Sequence, residues 1–243
     1  MDAAIAVIPA RFGSTRLPGK ALADIGGIPM IVRVWRQTRK AELLQRVLIA
    51  TDDERIASAV RAAGGDVEMT ASSHQSGTDR IAEVARRVPA DIYVNVQGDQ
   101  PFIAPEDIDA VVKVMTAEPA LSMATLGAPV VDFDEWRNPN KVKIVCDNQG
   151  YALYFSRSPI PFFRDGTGVT RGVLRHVAVY GYRRDFLLSF GALAPSRLEQ
   201  TEKLEQLRAM EHGYHIRVIA SVAPSLEVDT QEDLARANIQ AAR

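Results

Sequence analysis

Apolar and polar positions follow two different periods along this chain. Short, almost uninterrupted apolar runs recur at 3–8 (AAIAVI), 46–51 (RVLIAT), 90–96 (ADIYVNV) and 121–130 (LSMATLGAPV), with a briefer DVEMT at 66–70. Runs of this length, rich in Val, Ile and Leu, read as strands buried on both faces. Between them the apolar residues recur every three or four positions, as amphipathic helices require. Pro29 is placed to open a helix through MIVRVWRQTRKAELL. Thr51 and Glu54 fit a capping box ahead of RIASAVRAAGG, with Gly64 or Gly65 to stop it. HQSGTDRIAEVARRV reads as a loop and then a helix, and Pro105-Glu106-Asp107 starts another. This alternation predicts an α/β fold: a mostly parallel sheet with helices on both faces.

After about residue 120 the pattern changes. KVKIVCD, GYALYFS and LRHVAVYGYR are strand-like with hardly any helix between them. They predict a smaller antiparallel portion at about 130–190, suited to a dimer-forming hairpin, within one domain spanning 1–243. RDGTGVTRG reads as a mobile loop. Ser196 and Glu199 form a second capping box ahead of one helix, RLEQTEKLEQLRAMEHG, with Leu204, Leu207 and Met210 on one face. HIRVIA is a late strand, and LEVDTQEDLARANIQAAR is a turn and a C-terminal helix.

Composition narrows the function classes. The 243 residues carry a formal net charge of −1, so no global field draws the protein to nucleic acid or an anionic membrane. Anion chemistry must come from local clusters. The one cysteine, Cys146, lies in an apolar run, which excludes an internal disulfide and suits a reducing, cytoplasmic setting. No basic leader or membrane-length apolar stretch is present.

The densest candidate chemistry follows the first strand, in IPARFGSTRLPGKA. Arg11, Arg16 and Lys20 stand there among turn-forming residues. A strand that opens into a Gly-containing cationic loop offers N–H groups and fixed charge to a phosphate; the alternative is a solvated loop. The Walker A pattern fails, because five residues separate Gly13 from Gly19 and Ala21 replaces the metal-binding Ser or Thr. Ligands of parallel sheets sit at carboxyl ends of strands. The loop, Thr51-Asp52, Gln97-Gly98-Asp99 and Val228-Asp229 are expected there. Asp99 and Asp229 together suit one Mg²⁺, which takes few protein carboxylates. The alternatives are an Asx-turn for Asp99 and a favourable place at a helix N-terminus for Asp229, the second being the stronger. Asp52 reads as structural. Alternation in RHVAVYGYR puts His176 and Tyr180 on one face, either lining a pocket or half-buried in the core.

Taken together, IPARFGSTRLPGK, ATDD, HQSGTDR, VNVQGDQPFI, GYALYFSRSPIPF, RHVAVYGYR, LEQTEKLEQLR and VDTQEDL resemble the 3-deoxy-manno-octulosonate (Kdo) cytidylyltransferase family, in family order and nearly end to end. The resemblance implies a Rossmann-like nucleotidyltransferase fold and a homodimer. It implies conversion of CTP and Kdo to CMP-Kdo and pyrophosphate with Mg²⁺, for lipopolysaccharide synthesis. Carried onto matching positions, Pro9, Ala10, Arg11, Arg16 and Lys20 would face the nucleotide, with Ser76, Gly77 and Arg80 recognising the nucleoside. Lys20, Asp99 and Asp229 would be catalytic, and the two aspartates would hold the metal. Gln97, Arg157, His176, Tyr180, Glu205 and Gln206 would line the sugar-acid pocket. One departure stands out: the family pattern QGDEP reads QGDQP here, with Gln100. A charge lost beside the sugar or metal would bear on substrate preference, and an 8-amino form of Kdo is the alternative substrate.

Overall fold

The early apolar runs are strands, and an amphipathic helix follows nearly every one. The structure, a computed structural model, describes residues 3–14, 16–164, 172–223 and 226–242. Strand β1 (Ala4–Ala10) leads through the cationic loop and one 3-10 turn at Lys20–Leu22 into a short hairpin, β2 (Asp24–Ile25) and β3 (Ile28–Pro29). Then come α1 (Met30–Thr38), β4 (Arg46–Thr51), α2 (Glu54–Ala62), β5 (Asp66–Met69), α3 (Gly77–Arg87), β6 (Ile92–Val96), α4 (Pro105–Ala117) and β7 (Met123–Pro129). The second half holds α5 (Phe133–Arg137), β8 (Lys143–Cys146), β9 (Ala152–Ser156), β10 (Leu174–Arg183), α6 (Arg184–Phe190), α7 (Arg197–Glu202), α8 (Gln206–Glu211), β11 (Ile216–Ala220) and α9 (Gln231–Ala241).

The main sheet runs β11-β7-β10-β6-β1-β4-β5, with β8 and β9 attached beside β10. β1 pairs in parallel with β4 and β6, β4 with β5, and β11 with β7. β10 is the reversed strand, antiparallel to both β6 and β7. The sheet is therefore mostly parallel with a smaller antiparallel part, as the pattern predicts. Yet the longest antiparallel strand lies inside the main sheet. Its first half consequently reaches the edge where β1, β4, β6 and β7 end.

Alternation along β1 explains why its sequence is uniformly apolar. Ala4, Ala6 and Ile8 pack toward α1, α2 and α4, while Ile5 and Val7 pack toward α3, α6 and α8. Both faces are covered, so no position on the strand favours a polar residue.

Three local expectations fail, each for a physical reason. The cap of α2 is Asp53, whose carboxylate accepts from Arg55 N–H at 2.9 Å; Thr51 stays in the strand, buried and in register with Ala10 and Met69. Helix α1 stops at Thr38 rather than running to residue 44. The helix expected over 197–213 is broken in two at Lys203, whose φ of 54° and ψ of 47° are left-handed. The capping boxes at Ser196/Glu199 and Thr230/Asp233 are both present. The RDGTGVTRG segment falls largely outside the described residues.

Candidate active site

The β1 loop is held in place from outside. Phe12 lies against Gly19, where an added Cβ would meet its ring at 3.4 Å, and the Arg55 guanidinium sits 3.3 Å from the centroid of the same ring. Gly19 itself takes φ +66°, which favours glycine. This turns Lys20 inward, where Nζ donates to Asp99 Oδ2 at 2.8 Å and to Asp229 Oδ1 at 2.6 Å. Arg16 reaches the same Asp229 oxygen at 3.0 Å. Arg11 is exposed at the mouth and has no side-chain partner among the described residues.

Asp99 and Asp229 come from segments 130 residues apart (229 − 99) and are joined by backbone: Val228 N–H donates to Asp99 O at 2.9 Å. The β6 exit packs so tightly on β1 that a Cβ at Gly98 would meet Pro9 O at 3.2 Å. Asp229 does not follow a strand as expected. It ends the coil between β11 and α9, one residue before the Thr230 cap. The cap uses the backbone N–H of Asp229, which donates to Asp233 at 3.2 Å, and leaves the Asp229 carboxylate to Lys20 and Arg16. Burial works against the Lys20 ammonium, but Asp99 and Asp229 outweigh it and hold its pKa above the ordinary lysine value. It is a cation at any physiological pH.

Around this cluster lies a cleft of about 570 Å³, the size of a small-molecule site. Pro9, Ala10, Arg11, Arg16, Lys20 and Asp99 line it. Ser76, Gly77 and Arg80, around the start of α3, line it as well, with Gly77 packed against Pro9. Ser76 caps that helix, its hydroxyl accepting from Asp79 N–H at 3.1 Å; such a cap is worth about 1 kcal/mol. Arg80 is buried and already engaged, with Thr70 and with Asp52 at 3.2 Å. It therefore shapes the wall, and Asp52 has a structural partner as expected.

A second cleft of about 270 Å³ adjoins the first; Gly77 and Gln97 line both. His176 and Tyr180 meet there with ring centroids 5.1 Å apart, brought to the edge by the reversed β10. The Thr125 hydroxyl donates to Val179 O at 2.8 Å, so the 3.0 Å contact with His176 requires Nε2–H as the donor. That leaves Nδ1 as an acceptor. Burial, and Arg175 beside it, push the His176 pKa down to about 3. The ring is neutral at pH 7 and offers hydrogen bonds rather than charge. Followed by NMR, it should show no titration between pH 5 and 8; an inflection near 6.5, the ordinary histidine value, would contradict this environment.

Glu205 and Gln206 complete the wall. The Glu205 carboxylate accepts from Thr78 on α3; burial pushes its pKa up, opposed by the hydroxyls of Thr78 and Ser76. Gln206 is 5% exposed, and its Nε2 has no partner among the described residues. A buried, unpaired amide facing a cleft is costly unless a polar ligand meets it. Both residues owe their places to the break at Lys203, a left-handed residue that costs roughly 1–2 kcal/mol without glycine.

Arg157 is not brought into either cleft. Its guanidinium bonds to backbone carbonyls of residues 139, 202 and 203. Gln100 is fully buried, its amide has no partner among the described residues, and it lines neither cleft. The missing family charge therefore does not face the ligand space. Two residues went unremarked in the sequence. Thr78 holds Glu205, and Asn95, 2% exposed, accepts from the Gln97 amide at 3.1 Å. A lone Asn inside an apolar strand is a readable signal of a buried polar site.

Known proteins resemble this chain along nearly its whole length. The sequence model of the family described as Cytidylyltransferase matches residues 5–217. The 3-deoxy-manno-octulosonate cytidylyltransferase of Geobacter sulfurreducens is 52% identical over 94% of this chain and 95% of its own length. That of Pelobacter propionicus is 53% identical over 96% and 94%. A solved structure of CMP:2-keto-3-deoxy-manno-octonic acid synthetase complexed with CTP superposes with a TM-score of 0.94, 45% identity and coverage of 99% and 98%. A 4-diphosphocytidyl-2C-methyl-D-erythritol synthase from Anaerococcus prevotii, 14% identical over 100% of this chain and 99% of its own, shares the fold at a TM-score of 0.67. With half its residues shared end to end and the fold superposing throughout, the chain belongs to the cytidylyltransferase family, in its 3-deoxy-manno-octulosonate branch.

Proposed function

We propose that the chain transfers the cytidylyl group of CTP to Kdo, giving CMP-Kdo and pyrophosphate. The observation that carries this is the meeting of two unlike clefts at Gly77 and Gln97. One gathers cations around two carboxylates and suits a triphosphate. The other presents neutral rings and amides together with Lys203 and the Glu205 carboxylate, and suits a polyhydroxylated acid. The relatives above are named for Kdo itself, which favours the unmodified sugar over its 8-amino form.

The oxygen on the sugar acid's anomeric carbon attacks the α-phosphorus of CTP. The bond from that phosphorus to the bridging oxygen breaks, its electron pair leaves with pyrophosphate, and the hydroxyl proton passes to water. Holding both reactants at adjoining clefts supplies proximity and alignment. Arg11, Arg16 and Lys20 offset charge on the departing pyrophosphate.

Asp99 and Asp229 also fit a Mg²⁺. Their oxygens already converge on one cation, the Lys20 ammonium, at 2.8 and 2.6 Å. Mg²⁺ binds through one or two carboxylates and completes its shell with water and phosphate. Bound there, it would polarise the α-phosphate as a Lewis acid.

A homodimer belongs to the same proposal. β9 pairs only with β8 among the described strands and carries Leu153, 60% exposed; Phe162 just beyond is 84% exposed. Light scattering in solution tests it. No helix among the described residues is long and apolar enough to cross a membrane.

The deciding experiment is a pyrophosphate-release panel of four nucleoside triphosphates against several sugar acids. Release only with CTP and Kdo is expected. ATP turnover without a sugar acid would make the chain an NTPase, and no release at all would make it a binding protein. Within that assay Gln206→Ala should raise the KM for Kdo about tenfold, the scale of one unpaired buried group, with the KM for CTP nearly unchanged. A lower melting temperature with an unaltered Kdo KM would assign Gln206 to the scaffold instead.

A further inference from the structure

Arg157 is the one residue expected at the sugar acid that lies outside the second cleft. Its guanidinium is spent on backbone. Nε donates to Glu202 O at 2.7 Å, one terminal nitrogen to Pro139 O at 3.1 Å and the other to Lys203 O at 3.4 Å. The same stretch of chain grips Glu202 a second time. Arg157 N–H donates to Glu202 Oε2 at 2.9 Å, and Ser156 Oγ donates to Oε1 at 2.6 Å. The end of β9 thus holds the last residue of α7 by both its carbonyl and its carboxylate.

Directly after that grip comes Lys203, the only described non-glycine residue with positive φ. Lys203 itself lines the second cleft, and Glu205 and Gln206 follow it in the same wall. Had α7 continued through Lys203, each helical residue would turn the next by about 100° and carry both side chains elsewhere. A left-handed turn built without glycine persists only where its surroundings over-determine it. Arginine suits that task, because its planar fork is always charged and offers five donors in fixed geometry.

We propose that Arg157 is a positioning residue for sugar-acid recognition. It holds the Lys203 turn in its left-handed form, and so sets Glu205 and Gln206 in the wall without touching the sugar acid. This rests on the second cleft being the sugar-acid site. A direct contact and a positioning role both make Arg157→Lys raise the KM for Kdo. They differ in what relieves the loss. Glycine takes the left-handed form at no steric cost. If Arg157 acts through the turn, Lys203→Gly makes the grip less necessary. If Arg157 meets the sugar carboxylate, glycine at 203 changes nothing about that loss.

The test is a double-mutant cycle read in the two KM values. Arg157→Lys in the otherwise unaltered chain is expected to raise the Kdo KM about tenfold, the scale of one lost hydrogen bond to a charged group, with the CTP KM within about twofold. In the Lys203→Gly background the same substitution should cost at least about threefold less, a coupling expected of residues in contact. Equal losses in both backgrounds overturn the proposal. Lys203→Val attacks the same turn with Arg157 intact, because a β-branched residue resists positive φ; it keeps the test open should Arg157→Lys fail to fold. A selective rise in the Kdo KM is expected relative to Lys203→Gly, which removes the same cleft-lining ammonium but keeps the turn, and equal KM values in the two overturn the proposal. Gln206→Ala separates this failure from that of the underlying reading. If it raises the Kdo KM while Arg157→Lys and Lys203→Val do not, only the positioning role falls. If none of the three moves that KM, the cleft assignment falls and the positioning role with it.

Discussion

Asp99→Asn is expected to cut turnover by at least ~10²-fold, the scale of losing one preorganised electrostatic stabiliser. The substitution keeps the size of the side chain and removes its charge. What it does not disturb is equally specific. The tie between the two distant segments runs through the Asp99 carbonyl, which accepts from Val228 N–H. That bond survives any change of side chain. Lys20 keeps its 2.6 Å contact with Asp229. The Asp99 side chain is 28% exposed, so the ion pair it loses is screened by solvent and worth about 0–1 kcal/mol. A large drop in kcat with a nearly unchanged melting temperature is the expected pair of results. Near-normal rates in the presence of Mg²⁺ would remove Asp99 from both the metal and the catalytic assignment.

How far the sequence carries the reader depends on the range of the interaction concerned. β1, β4 and β6 are legible because burial on both faces leaves nothing polar along them. Capping boxes at Ser196 and Thr230 are legible because donor and acceptor lie three residues apart. The cap at Asp53 is misread for a long-range reason: pairing with Ala10 and Met69 keeps Thr51 in the sheet, and the cap falls two residues later. β10 shows its alternation but not its neighbours. Nothing local says that it slots between β6 and β7 and so delivers His176 and Tyr180 to the edge where β1 ends. The break at Lys203 is the least legible feature. LEQTEKLEQLR has an unbroken helical period, and the carbonyl grip that ends α7 comes from Arg157, 46 residues earlier. A resemblance can assign Arg157 to the sugar acid, but only the fold shows what its nitrogens touch.

Lys20→Met should weaken catalysis far more than it weakens binding of CMP-Kdo. The Lys20 side chain is only 16% exposed, so methionine preserves most of the packing of its stem and removes the ammonium. In the free protein that ammonium bridges Asp99 and Asp229. CTP brings three phosphates to the same place, and the charge that builds during reaction belongs to the pyrophosphate that leaves. CMP-Kdo retains only the α-phosphate. A cation serving the departing group therefore stabilises the transition state in a way it cannot stabilise the product complex. The expected loss in kcat is on the order of 10²–10³-fold, as for removal of a single donor from an oxyanion site. The expected loss in CMP-Kdo affinity stays below about tenfold, since one exchangeable contact at most is removed. Turnover and product affinity are measured on the same preparation, by pyrophosphate release and by calorimetric titration with CMP-Kdo. Equal losses in the two would mean that Lys20 binds the shared α-phosphate, or merely shapes the cleft, and that Arg16 and Arg11 carry the pyrophosphate alone.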